Sequence, residues 1–192
     1  MNTRAAKLST RARLKQLADD ELVLIARKQL PHVTLAYEVL MRRYQDALMR
    51  TCNRYLGSSH DAEEVVHEVM LRVFHGLQKF KGDSSFKTWL YRIAYNESMT
   101  MLRKRKDQDS LEDVPESYLL GEGKGVERDV MAMRVDRWVS QLNEEDRTIV
   151  VFRAVAELEF KEIATLVDMK LSAVKMRYQR ALEKLKQHYE VS

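Results

Sequence analysis

Only 2 prolines and 6 glycines punctuate these 192 residues, and three of the glycines stand together at Gly121, Gly123 and Gly125. Proline removes a backbone donor and clashes inside a helix, while glycine there forfeits conformational entropy. A chain nearly free of both, outside one short stretch, is disposed to long helices. It is poorly supplied for the tight turns of a sandwich or barrel. The expected fold class is all-α.

Apolar residues at 45% and charged residues at 32% suit a folded chain with a core and argue against wholesale disorder. The single cysteine, Cys52, excludes an intrachain disulfide and a cysteine zinc cluster, so a reducing cytoplasm is the expected location. No apolar run approaches the roughly 18 residues of a membrane span, and no membrane insertion is expected. Met1 to Lys15 carries Arg4, Lys7, Arg11, Arg13 and Lys15 without an apolar core, unlike a secretory signal. A solvated basic arm is favoured there over a mitochondrial transit peptide.

Charge divides the chain unevenly. Residues 1–106 hold 20 Lys/Arg against 11 Asp/Glu, residues 107–129 hold 2 against 8, and residues 130–192 hold 11 against 10. With Pro115 and the three alternating glycines, the acidic stretch reads as a flexible linker over 107–126. The expected organisation is a basic arm (1–18), a helical domain (19–106), the linker and a second helical domain (127–192). The basic first half proposes a polyanion as partner.

In the first domain Asp19 and Asp20 are placed to cap a helix through about Leu30, and Thr34 to cap another that Gly57 stops. A third helix begins near Asp61 with Val65, Val69 and Val73 on one side and Val66, Met70 and Phe74 adjoining. A fourth begins near Ser84 and would bury Phe86, Leu90, Ile93, Ala94 and Met101. In the second domain Val130 to Leu142 is amphipathic, and Asn143 is placed to cap a helix to about Val155. A short helix, Phe160 to Val167, and a longer one from Ser172 to about His188 follow.

Three constellations could carry function. In the last helix pair, small Ala164 and apolar Val174 stand ten positions apart, the spacing that helix-turn-helix packing requires. The second helix presents Lys175, Arg177, Arg180 and Lys184 opposite its apolar stripe. This is equally readable as an ordinary helical hairpin with a solvated basic face. On helix 86–105, Trp89, Arg92, Asn96, Met99 and Arg103 share a face, ending in Arg103-Lys-Arg-Lys106. That face suits base stacking and backbone tracking, against the plainer reading of Trp89 as core. The preceding loop, Phe80 to Ser85, is polar enough for one unstacked base. The stripe Asp61, Glu64, Glu68 includes a Glu64-x-x-His67 unit, but a di-iron bundle needs a second such unit and none exists. A solvated face, or a docking face for a basic partner, is the better reading. No nucleophile elbow, Walker loop or GxGxxG occurs. No active site is evident, no cofactor or metal is expected, and Cys52 reads as packing.

Asp61-Ala-Glu-Glu-Val-Val-His-Glu-Val-Met-Leu-Arg-Val-Phe74, Phe86-Lys-Thr-Trp-Leu-Tyr-Arg-Ile-Ala-Tyr-Asn96 and Val174-Lys-x-Arg-x-x-x-Ala181, in this order, resemble the sigma-70 family of bacterial RNA polymerase specificity subunits. The resemblance covers roughly 19–106 and 127–188, and the similar group is that of the small two-domain extracytoplasmic-function sigma factors. It implies two small helical domains, the second with a helix-turn-helix at 160–179. It also implies core-polymerase binding, on the clamp helices of the largest subunit, by Asp61, Glu64, Val65, Glu68, Val69, Leu71, Arg72 and Phe74. By the same resemblance Phe80, Lys81, Asp83, Ser84, Phe86, Trp89, Arg92, Tyr95, Asn96 and Arg103 would hold the opened −10 element. Ser172, Ala173, Lys175, Met176, Arg177, Gln179 and Arg180 would read the −35 element.

The chain departs from the family's habit at Asp168, where glycine is common, at Ser172-Ala173, where Gly-Thr is usual, and at His67, where glutamine is frequent. The expected function is that of a sigma factor: it binds core polymerase, places it on promoters and helps open the DNA, with no covalent chemistry of its own. An anti-sigma protein is an expected further partner. The alternatives are a polymerase-independent helix-turn-helix regulator, which would bind duplex DNA tightly alone, and a helical metalloprotein using Glu64 and His67.

Overall fold

A computed structural model describes residues 10–109, 137–139 and 141–190; the expected linker and the start of the arm lie outside them. Every regular element among the described residues is helical. In chain order these are α1 (Asp19–Gln29), α2 (Leu35–Leu56), α3 (Ser59–Gly76), a 3-10 turn (Leu77–Lys79) and α4 (Phe86–Asp109), then α5 (Glu144–Ala154), α6 (Phe160–Leu166) and α7 (Leu171–Glu190).

Each boundary has a local cause. Gly57 ends α2 in the left-handed conformation, φ 64°, with its N–H on the Asn53 carbonyl. Ser58, and not Asp61, caps α3 by accepting the Asp61 N–H at 3.3 Å. Asp61 is then left to face Arg105 of α4, with which it pairs closely. Asp19 falls inside α1, whose N-cap is Ala18, while Thr34 holds the N-cap position of α2 as expected with its side chain spent otherwise. Asp19 accepts from Arg43 at 2.6 Å and from the Tyr44 hydroxyl, while Glu21 reaches back to the Ala18 N–H at 2.8 Å. Thr34 donates its hydroxyl to Glu38 at 2.7 Å. Asn143 caps α5 as expected, accepting the Asp146 N–H at 2.9 Å.

The arm ends earlier than its charge suggested. Residues 10–14 form a helical turn, Leu14 is buried, and Arg43 donates to the carbonyls of Lys15 at 3.0 Å and Leu17 at 2.7 Å. One apolar anchor and satisfied carbonyls tie this stretch down despite its basic composition.

The first core lies between α1, α2, α3 and α4, around Leu22, Leu40, Leu48, Val69, Val73 and Leu90. Tyr37 fastens α2 to α3 by donating to the Met70 carbonyl at 2.7 Å, and burial pushes its hydroxyl pKa up to about 12. Cys52 is buried here as expected, and burial pushes its thiol up to about 11. Around α4 the expected stripe holds at Phe86, Leu90 and Ala94 and is widened beyond them. Tyr91, Ser98 and Met99 are buried, whereas Ile93 and Met101 are half-buried.

Part of that widening comes from the second half of the chain, which packs against the first. Phe152 of α5 is fully buried, with the rings of Tyr55, Tyr91 and Tyr95 edge-on to it at 5.9, 6.4 and 5.7 Å. The Tyr55 hydroxyl donates to the Thr148 carbonyl at 3.4 Å, and the buried residues of both halves form one continuous cluster. A helix covered from two sides buries more of its circumference than a simple stripe predicts.

Within the second half, Ile163 and Ala164 of α6 and Val174 and Ala181 of α7 are buried together, the contact expected of a helix-turn-helix. The turn between them holds Asp168 at φ 52°, and the Met169 N–H closes onto the Ala164 carbonyl at 3.0 Å. This left-handed position is where glycine was missed in the sequence, and aspartate tolerates it better than a β-branched residue. Asp168→Val is expected to cost about 1–2 kcal/mol, read as a lowered urea midpoint, with Asp168→Gly near neutral.

Candidate nucleic-acid and polymerase interface

Three surfaces emerge, and the structure sorts the expected residues into those that face outward and those that hold the surface up. On α3, Val65 and Val69 are buried at 3% and 0% exposure, so they fix the helix to the core and cannot meet a partner as they stand. Phe74 packs half-buried against Tyr37, ring centroids 5.3 Å apart. Asp61 is held by Arg105. Glu68 and Glu97 both pair with Arg72, each at 2.9 Å. The outward face is instead Glu63, Glu64, His67 and Leu71, with Leu71 one of few large apolar side chains left exposed. Among the described residues no group of three or more His, Cys, Asp or Glu is placed to hold a metal ion.

The second surface is the loop before α4 and that helix's outer face. Gly82 turns the loop at φ 83°. The Phe80 ring lies 4.9 Å from Trp89, and a side chain at Gly76 would meet the Trp89 ring at 3.3 Å. Trp89 is thus half-buried among Phe80, Phe86 and Gly76, between the two readings of it from sequence. Phe86 belongs to the core at 2% exposure, and Tyr95 is half-buried against Tyr55 and Phe152. Met99, expected on the outer face, is buried as well. Lys81, Asp83, Arg92, Asn96 and Arg103 are exposed, and Ser84 is partly so.

Sequence reasoning missed two residues here. Ser85 caps α4, accepting the Thr88 N–H at 3.1 Å, and Ser85 and Thr88 both bond Glu162 of α6. Serine just before an apolar run was a legible N-cap signal; the partner in α6 was not.

The third surface is α7. The helix begins at Leu171, and the Val174 N–H bonds the Lys170 carbonyl, so Ser172 lies in the first turn and leaves the capping position to Lys170. Ser172, Lys175, Met176, Gln179 and Arg180 are exposed, and Ala173 is half-buried. Ser172, Met176 and Gln179 follow helical spacing on the side opposite buried Val174 and Ala181. Arg177 points back instead, bonding Asp146 at 2.6 Å and pairing with Glu145. These bonds, first of all that to Asp146, raise its already high pKa, and they lock α7 to α5. A guanidinium committed to two carboxylates positions the helix and is withdrawn from base reading.

Comparison with known proteins adds a second line. The chain matches the family Sigma-70 region 2 over residues 40–108 and the family Sigma-70, region 4 over residues 132–185. It is 31% identical over 167 residues to the RNA polymerase sigma-H factor of Pseudomonas aeruginosa, covering 77% of this chain and 83% of that protein. The ECF RNA polymerase sigma-E factor of Escherichia coli K12 is 30% identical with the same coverage. The ECF RNA polymerase sigma factor SigW of Bacillus subtilis is 28% identical over 163 residues, covering 79% of this chain and 87% of that one.

Among solved structures, the fold is similar to that of the sigma factor RpoE bound to the anti-sigma factor NepR from Bartonella quintana. The TM-score is 0.74 at 17% identity, covering 83% of this chain and 99% of that one. It is also similar to CnrH in complex with the cytosolic domain of CnrY, with TM-score 0.69 at 22% identity, covering 91% and 98%.

Proposed function

Because this chain belongs to the extracytoplasmic-function group of sigma-70 RNA polymerase sigma factors, we propose that its three outward faces divide the work of promoter recognition among them. Glu64, Leu71 and the neighbouring outer face of α3 dock on core RNA polymerase. Lys81, Asp83, Ser84, Arg92, Asn96 and Arg103, with the open side of Trp89, take up the separated −10 strand. Ser172, Lys175, Met176, Gln179 and Arg180 enter the −35 major groove. Residues 19–106 act as the first functional unit and 127–192 as the second, joined by the acidic stretch between them.

The observation that carries this reading is a basic, solvent-facing recognition helix beside a short helix, with Ala164 and Val174 both buried, in the same chain as a second cationic face that includes Trp89. Lysine and arginine in a groove supply phosphate and base-edge contacts, and an exposed tryptophan face supplies stacking for an unpaired base. Unstacking one base costs a few kcal/mol, which that platform and its polar rim must offset. The chain acts as an initiation factor in the compartment of the polymerase, which itself performs the bond-forming chemistry. The fold neighbour captured with the anti-sigma factor NepR supports an anti-sigma protein as a further partner.

Transcription from a promoter library by core polymerase, with and without this protein, tests the reading. New start sites sharing two upstream elements are expected; DNA binding without new transcripts would favour a polymerase-independent regulator. Lys175→Ala is expected to cost about 1–3 kcal/mol of −35-dependent promoter binding. The check is a set of −35 point variants. A loss confined to one base pair marks base reading, and a uniform loss marks a phosphate contact.

A further inference from the structure

A large apolar side chain stands in the middle of the polar face of α7. Met176 is 55% exposed, the only large apolar residue left open on that helix besides Leu171 at 40%. Helix geometry sets its direction. At about 100° per residue, Met176 points roughly 140–160° away from both Val174 and Ala181, which are buried. Two further contacts hold the helix in this rotation. Arg177 bonds Asp146 at 2.6 Å and pairs with Glu145, and the Tyr178 ring lies 5.2 Å from that of Phe160. Met176 is therefore turned to solvent among Ser172, Lys175, Gln179 and Arg180, all exposed.

Those four neighbours carry hydroxyl, ammonium, amide and guanidinium groups, each fitted to a phosphate or a polar base edge. Met176 has only a thioether, a weak acceptor, and its exposure contributes nothing to the core. Its position is telling. It lies in the second turn of α7, in the N-terminal part of a recognition helix that meets base edges. The four base pairs differ in the major groove by their donors and acceptors, and the thymine C5 methyl is the one apolar group they present there. An unbranched, polarizable side chain moulds onto such a methyl, and both surfaces leave water together. Cytosine offers an amino donor instead, which a thioether satisfies poorly.

We propose that Met176 is a specificity-determining residue, and that it selects a T·A pair within the −35 element by contact with the thymine methyl. This rests on the sigma-factor reading given above and adds the identity of one base. Phosphates are the same in every sequence, so the cations around Met176 can raise affinity through them without favouring any base pair. Discrimination at the pair under Met176 then falls to apolar contact.

The test uses holoenzyme assembled from core polymerase and the full chain, on a promoter selected from a library randomised over the −35 element. Each thymine of that element, on either strand, is replaced in turn by deoxyuridine, which pairs alike and lacks only the methyl. One replacement is expected to weaken competition for the holoenzyme about three- to fivefold, the effect of one buried methyl. Met176→Ala, folded by circular dichroism, is expected to bind the thymine and deoxyuridine promoters within about 1.5-fold of each other. Leu171→Ala removes an exposed apolar side chain roughly 140° away around the helix, and is expected to keep the parent's discrimination. A selected element without a T·A pair, or a scan in which no deoxyuridine weakens the parent, would overturn the proposal. So would a loss of the same size in Met176→Ala, or one abolished by Leu171→Ala. Transcription separates the two readings. New transcripts without a Met176-dependent methyl effect remove this assignment alone. A library that yields no transcripts removes the sigma-factor reading, and the scan is then run on a duplex that the free chain selects from a randomised pool. The same outcomes decide for Met176 there, and failure to select any duplex overturns the proposal as well.

Discussion

Phe152→Ala should lower the unfolding free energy by about 3–5 kcal/mol, among the largest losses a single truncation in this chain can cause. The ring is fully buried and bears on three tyrosines of the other half as well as on its own helix bundle. Its removal takes away transfer free energy and leaves a cavity walled by large rings that cannot collapse onto it. Each edge-to-face contact adds about 0.5–1.5 kcal/mol beyond the area buried. The loss should appear as a shifted urea midpoint. Hydrogen exchange around Tyr55 and Tyr91 should accelerate at the same time, because these residues share the cavity. A change under about 1 kcal/mol, or one confined to residues 141–190, would mean that the two halves do not share a core.

Leu71→Asp should weaken assembly with core polymerase tenfold or more, since a desolvated apolar anchor at an interface centre is typically worth about 2 kcal/mol or above. Leu71 is 42% exposed on α3 between Glu64, His67 and His75, so the substitution adds no buried charge and the fold should tolerate it. Leu24→Asp on α1, at 55% exposure, is the matched control and should assemble normally. Equal behaviour of the two variants in a competition assay for core polymerase would move the docking face elsewhere on the chain.

How much of this was legible in the sequence depends on how far a residue's role is decided locally. Gly57 and Asn143 could be read because a helix end is settled within four residues. Ala164 and Val174 could be read because the helix-turn-helix is nearly a local structure as well. Asp19, Thr34 and Ser172 look like caps by composition. Distant or neighbouring side chains claimed the first two, and the third falls two positions past the boundary that Lys170 sets. The misplaced face of α4 has the same origin. Met99 is buried, and Tyr95 is committed because Tyr55 of α2 and Phe152 of α5 meet its ring; no periodicity within α4 carries that information. Arg177 is the sharpest case. From the sequence it is one more cation on a basic helix, and only the position of Glu145 and Asp146, more than thirty residues earlier, turns it inward.

The tyrosine-lined seat of Phe152 has a kinetic consequence. Residues 110–136 connect the two surfaces covalently, so their meeting is a first-order event and dilution cannot reverse it. Severing the chain at Lys124 would convert the same contact into a second-order encounter. The proteolysed protein would release its halves at low concentration while every side chain in the seat remained intact.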